Sequence, residues 1–187
     1  PPATLRRQRQ MCIRDSGNYV HWGATTQNIT QTGDLLQLRK AHRIYLNQLS
    51  QIFTALAKLS DKSKDMALPG RTHGQHAVPA TYGLKVAIWI DEFARHTERL
   101  RQCEPRVFQA LLGGAAGTVA SFGEEGLDVQ ARLAAHLDMP AMQVPARSIM
   151  DHLVEHVMLL GLLAATCGKF GYEIYTGMKQ EFGEVEE

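Results

Sequence analysis

Cysteine is scarce: Cys12, Cys103 and Cys167 are the only three in 187 residues, and none forms a Cys-x-x-Cys pair. That excludes a disulfide framework and a thiolate metal knot, and it fits a reducing compartment. Charge of one sign is missing as well. Lysine and arginine total 20 against 19 acidic residues, a formal net charge of +1, so no nucleic-acid surface is indicated. The longest uncharged apolar run, Val157 to Ala165, falls well short of the about 20 residues that span a bilayer. No apolar core follows the basic first residues, as a signal peptide would require. The expectation is a cytoplasmic protein with no membrane partner. Strand patterns are wanting too: no stretch reads as a strand longer than a few residues, and there is no internal repeat.

What is present is helical periodicity. Apolar residues recur at three and four from Gly33 to Lys62, through Leu35, Leu38, Ile44, Leu49, Ile52, Phe53, Leu56 and Leu59. A second long helix is predicted over 81–103, closed by Pro105. Ser121-x-x-Glu124 reads as a capping box opening a third helix that ends before Pro140. Ser148-x-x-Asp151 reads as the start of a fourth, running to about Phe182. Its segment 157–165 is apolar on most faces, which predicts burial all round and, in so short a chain, burial against other subunits. The fold class is all-α, a long antiparallel helical bundle over residues 17–187. Residues 1–16 stand apart, because Met11–Ser16 fits neither neighbour and resembles a translated adaptor.

Two short stretches concentrate polar chemistry. Gly70-Arg71-Thr72-His73-Gly74-Gln75-His76 joins a cation, a hydroxyl, two imidazoles and a carboxamide, with Pro79 suited to the first turn of the following helix. It reads either as a site at the mouth of that helix or as an ordinary interhelical loop. His21-Trp22-Gly23-Ala24-Thr25-Thr26-Gln27-Asn28 offers neutral donors for a carboxylate, or else helix-capping threonines in a turn. The glycine-rich run Leu111–Ser121 lacks the Gly-Lys-Ser/Thr ending of a phosphate loop. It is better read as a flexible loop offering backbone N–H groups to a site.

With His21–Thr26 and Gly70–Gln75 in this order, and the glycine loop 113–117 after them, the chain resembles the aspartase/fumarase superfamily. The branch is that of adenylosuccinate lyase and 3-carboxy-cis,cis-muconate cycloisomerase. The resemblance implies a helical bundle, a homotetramer with sites shared between subunits, and no cofactor. It implies a β-elimination that releases fumarate from a small dicarboxylate-containing substrate, or in the cycloisomerase a related addition. His73 matches the general acid. His21, Thr25 and Thr26 match carboxylate-binding positions, with Thr72, Gln75 and Arg71 beside the acid. His73 favours the eliminating lyases, whereas Trp22 and the series Gly23–Gln27 are cycloisomerase-like.

There are departures. Asn28 and Gln31 stand where these branches carry aspartates, and Met150 where they carry a substrate-binding arginine. The mobile loop that holds the family's serine base is absent, so the chain is expected to be a fragment, inactive alone. A catalytically silent scaffold is the rival reading. Among the other histidines, His76 either assists His73 or holds the loop. His42, His96, His136, His152 and His156 are read as surface or packing residues. His152 and His156 have zinc-ligand spacing but no third ligand, so no metal is assigned. Lys85 is read as a solvated side chain.

Overall fold

An unbroken helix, α1, spans Thr26–Ser63, 38 residues, and so begins seven positions before Gly33. Its start is explained by Asn28, whose side-chain oxygen accepts a hydrogen bond from the Thr25 N–H at 3.1 Å. A residue of the first turn reaching back to the preceding N–H is half of a capping box. The computed structural model describes residues 19–186; the expectations for residues 1–16, Cys12 included, lie outside them. After α1 come strands β1 (Ala67–Thr72) and β2 (Gln75–Thr81), then helices α2 (Tyr82–Val107), α3 (Gly126–Leu137) and α4 (Asp151–Gly177). The chain divides into two compact units. Of the described residues, the first comprises 19–38 with Phe108–Met150, the second Arg39–Val107 with 151–186.

The second unit is a bundle of the C-terminal part of α1 with α2 and α4. Leu49 and Leu56 of α1 and Val86, Trp89, Phe93 and Leu100 of α2 form its core, joined by Leu159, Leu160, Leu163 and Phe170 of α4. Trp89 and Phe170 meet edge to face, with ring centroids 4.7 Å apart. Polar pairs register α2 against α4: Lys85 with Glu173 at 2.7 Å, Lys169 with Glu92, and Arg106 with Glu155. Lys85 is therefore half-buried and paired, not solvated. Gly83 is required where it stands, since a Cβ there would lie 2.6 Å from the Lys64 backbone.

The helix α4 shows two apolar sides. Leu159, Leu160 and Leu163 turn inward, while Val154, Val157, Met158 and Leu162 form an exposed stripe. Within the chain it is therefore not buried all round. It is also long and apolar enough to cross a bilayer by length and composition alone, with a mean hydropathy of 1.4 in its most apolar window. It ends at Gly177 rather than near Phe182, and the chain folds back, Glu184 N–H donating to Gly177 O at 2.9 Å.

The first unit is built on extended chain and α3. Ala110 donates to Pro140 O at 2.8 Å and accepts from Met142 N–H at 3.0 Å, and the Gln130 amide donates to Met142 O at 2.6 Å. Gly113 and Gly117 pass so close to Pro145 that Cβ atoms would lie 2.5 and 2.8 Å from its carbonyl oxygen.

Several expectations are corrected. Residues 67–81 are two antiparallel strands, not a loop, so the fold is helical with one hairpin. Pro79 lies within β2, opposite Pro69, and not in a helical turn. Both strands are edges, where a missing N–H is tolerated. Pro105 does not close α2, which continues to Val107. Ser121 caps no α-helix: residues Ala120–Glu125 form a 3₁₀ segment interrupted by Gly123 at φ 61°, and α3 begins at Gly126.

Candidate functional site

The hairpin presents the polar run at its tip. Its two central turn residues, His73 and Gly74, have φ of 49° and 74°. Positive φ at both positions is the type I′ pattern that matches the twist of paired strands. Histidine is among the few non-glycine residues that enter this region with some frequency. Thr72 pairs across the ladder with Gln75, and Arg71 with His76. Thr72, His73, Gln75 and His76 are all exposed, and among the described residues none of their side chains has a hydrogen-bond partner.

Arg71 differs from its neighbours. Its guanidinium pairs with Glu184 at 2.6 Å and lies 4.5 Å from the centre of the Phe182 ring. The segment that folds back after α4 thus straps itself to the hairpin. Beside the strap lies a cavity of about 400 Å³ lined by Leu68, Leu84, Ile88 and Phe182, with Arg71–Glu184 and Lys85–Glu173 among its walls. Tyr82 is half-buried, and burial, followed by the nearby Glu184 and Glu173, raises its phenol above the usual value.

The other constellation belongs to the first unit. His21 is exposed with φ 66°, and the Trp22 indole N–H donates to Ser121 O at 3.1 Å. Gly23 has φ 65°, and a Cβ on it would lie 2.5 Å from the Phe122 ring. Thr25 occupies the cap position of α1 and Thr26 its first residue, exposed. Asn28 is buried and serves the cap, so its place in the helix start has a structural cause. Gln31 is buried as well. The glycine loop reaches this segment, for a Cβ on Gly114 would lie 3.0 Å from Gly23 O. Met150 is half exposed.

The fold thus groups Arg71, Thr72, His73 and Gln75 on one hairpin, and His21, Thr25 and Thr26 on one segment of the other unit. Sequence reasoning missed Glu184 as the partner of Arg71 and Arg147 as the partner of Gln27. No local motif signals either pair, since each joins residues more than a hundred positions apart. The helical histidines of the second unit, His42, His96, His152 and His156, are buried. His42 meets Glu104 at 3.0 Å and its ring centre lies 5.3 Å from that of His156. Burial, then the neighbouring His42, lowers the His156 imidazole below its ordinary value. His96 bonds Thr166 at 2.8 Å and is likewise lowered, chiefly by burial. Among the described residues no group of three or more His, Cys, Asp or Glu side chains could hold a metal ion.

The lyase family matches residues 10–187. The chain is 44% identical over 178 residues to N-acetyl-S-(2-succino)cysteine lyase of Enterococcus italicus, covering 95% of this chain and 39% of the relative. It is 36% identical over 186 residues to adenylosuccinate lyase of Methanocaldococcus jannaschii, covering 99% and 40%. It is 40% identical over 181 residues to 3-carboxy-cis,cis-muconate cycloisomerase of Pseudomonas aeruginosa, covering 97% and 39%. Among solved structures it is similar to a fumarate lyase from Mesorhizobium sp. BNC1, with a TM-score of 0.90 and 39% identity over 98% of this chain and 44% of that one. The chain therefore spans about two fifths of the length of these curated relatives.

Proposed function

We propose, because the chain belongs to the lyase family of the aspartase/fumarase superfamily, that the protein splits a succinyl adduct by β-elimination and releases fumarate. The observation that carries this reading is the 44% identity, over 95% of the chain, to a lyase named for a succinylated cysteine. In the reaction a base takes the proton beside one succinyl carboxylate. The electron pair left on carbon forms the new double bond, and the bond to the leaving sulfur, nitrogen or oxygen breaks. His73 protonates the leaving atom. Its position at a tight turn, with its ring in solvent and no partner among the described residues, supports that role. Thr72 and Gln75 flank the acid, and His21, Thr25 and Thr26 hold substrate carboxylates. Arg71, tied to Glu184, acts from the hairpin wall. By the family resemblance the base is a serine of a mobile loop.

The protein acts as a cytoplasmic homotetramer with sites shared between subunits. The exposed stripe Val154, Val157, Met158 and Leu162 supports assembly, since apolar patches of this kind are rarely left to water. A second reading, lactonisation of a carboxymuconate, is favoured by Trp22 and by the 40% identical cycloisomerase.

The test is to incubate the full-length protein with N-acetyl-S-(2-succino)cysteine, adenylosuccinate and 3-carboxy-cis,cis-muconate. Fumarate from a succinyl adduct is expected. Lactone formation without fumarate selects the second reading, and no turnover of any of the three makes the protein a silent scaffold.

A further inference from the structure

A two-stranded hairpin does not hold a direction by itself, because such a ribbon is marginal in water without further packing. Here the base is fixed, for the Tyr82 N–H donates to Met66 O at 2.9 Å where β2 gives way to α2. Nearer the tip the ladder is interrupted. Gly70 pairs with Val78 but Arg71 with His76, so Ala77 is the extra residue of a bulge. A bulge bends its strand and disrupts the ladder locally. His73 lies beyond that interruption, two residues after Arg71. Holding His73 in one position therefore takes a contact from outside the ladder.

The strap after α4 makes that contact. It is braced by its own backbone: the Phe182 and Gly183 N–H groups both donate to Lys179 O at 2.8 Å, and the Glu184 N–H donates to Gly177 O at 2.9 Å. Gly183, with φ 57°, turns the chain just before Glu184, whose carboxylate meets the Arg71 guanidinium at 2.6 Å. Only 19% of the Arg71 side chain and 11% of the Glu184 side chain reach solvent, so water and salt screen the pair far less than an exposed one. The Phe182 ring lies against the same guanidinium, and the Arg71 Nε is out of solvent. The Arg71 charge is thus met within the chain, by a carboxylate and a ring face, rather than held ready for a substrate anion. Arg71, His73, Phe182 and Glu184 all belong to the second unit.

We propose that Glu184 is a positioning residue: through Arg71, next on the ladder to the closing Thr72–Gln75 pair, it sets the direction of the hairpin tip and so the place of His73. This rests on the elimination reading above and deepens it, since Arg71 then serves the reaction by holding the acid and not by touching substrate. A reacting group displaced by about 1 Å loses roughly 10²-fold in rate, so the pair acts on turnover and not on substrate binding.

The test is a double-mutant cycle in the full-length protein: Glu184→Met, Arg71→Met and both together, with fumarate release followed from the succinyl adduct that wild type splits. Each single variant is expected to lower kcat roughly 10- to 100-fold with KM within about threefold of wild type. The double variant is expected to be no slower than the slower single one, because both changes remove the same tie. It also guards against a loss that is only one of folding, since paired apolar side chains replace a buried ion pair without leaving a lone charge. Amide hydrogen exchange of the double variant is expected to speed up at Thr72–Gln75 and to match wild type in α2 and α4. An unaltered kcat in Glu184→Met, or losses that multiply in the double variant, overturn the proposal while the elimination reading stands. A KM raised about tenfold by Arg71→Met alone makes Arg71 a substrate contact and overturns it too. Unchanged exchange at the tip, or faster exchange throughout the bundle, does the same. If wild type releases fumarate from no succinyl adduct, the elimination reading falls and takes the proposal with it.

Discussion

The two polar constellations are held in opposite ways. Residues 21–28 are woven into their unit: Gly23 faces the Phe122 ring, Trp22 bonds Ser121 O, Asn28 caps α1, and Gln27 clasps Arg147. Residues 72–76 are not. Thr72, His73, Gln75 and His76 stand at an exposed turn, and nothing described in the fold uses their side chains. The difference teaches where chemistry is separable from folding. A change in the first constellation disturbs structure before it reports on reaction. A change of an exposed side chain at the hairpin tip that the turn's backbone accepts leaves the fold intact, so any effect there belongs to function.

The largest effect on stability is expected at Gly23. An alanine there takes φ 65° and drives its Cβ to 2.5 Å from Phe122. Strain and overpacking together should cost about 2–4 kcal/mol, read as a lower denaturation midpoint. A midpoint close to wild type would break the comparison on its packed side.

Acid comes next, and it should act on the second unit's interior rather than on the hairpin tip. The His156 imidazole, buried beside His42 and next to the Glu104 pair, is held below its ordinary value of 6.5. The fold favours its neutral form, so this contribution is complete above the ordinary value. It is lost as pH falls from there toward the lowered folded value. Glu92, lowered chiefly by Lys169, and Glu155, lowered chiefly by Arg106, add a later loss as pH falls below their ordinary 4.5. Denaturation midpoints across this range should decline, and His156→Gln should flatten the first part of the decline. A profile identical to wild type would remove His156 from the cause.

Gly74→Ala sharpens the comparison, because φ is again positive, 74°, but nothing lies within 4 Å of a Cβ. Only backbone strain remains, about 1–2 kcal/mol. Gln75→Ala should be smallest, within about 0.5 kcal/mol, as for surface positions without partners. A loss at Gln75 as large as that at Gly23 would mean that the tip is structural after all.

How much of this was legible in the sequence follows from how local each cause is. The helices were, since Leu49 and Leu56 of α1 and Phe93 and Leu100 of α2 recur at helical spacing and bury accordingly, although Ile44 of the stripe predicted for α1 is exposed. The hairpin was not. Its strands carry Pro69, Gly70 and Pro79, which read as breakers, and its turn is His-Gly rather than the familiar Asn-Gly. The Ser121-x-x-Glu124 pattern misled because Gly123 breaks the helix it should have opened. The polar residues of both constellations were visible as residue types. Their partners were not, for Gln27 meets Arg147 and Arg71 meets Glu184 across the whole length of the chain.

The central claim is that the hairpin tip carries chemistry that the fold does not need, and His73→Asn tests it most directly. Asparagine accepts positive φ as histidine does, so the turn should survive the change. In the full-length protein, fumarate release and denaturation midpoint should be measured side by side. The rate should fall by about 10²–10⁴, the contribution of a general acid, with substrate affinity nearly unchanged and the midpoint equal to wild type. An unaltered rate, or a midpoint that falls along with the rate, would contradict the claim.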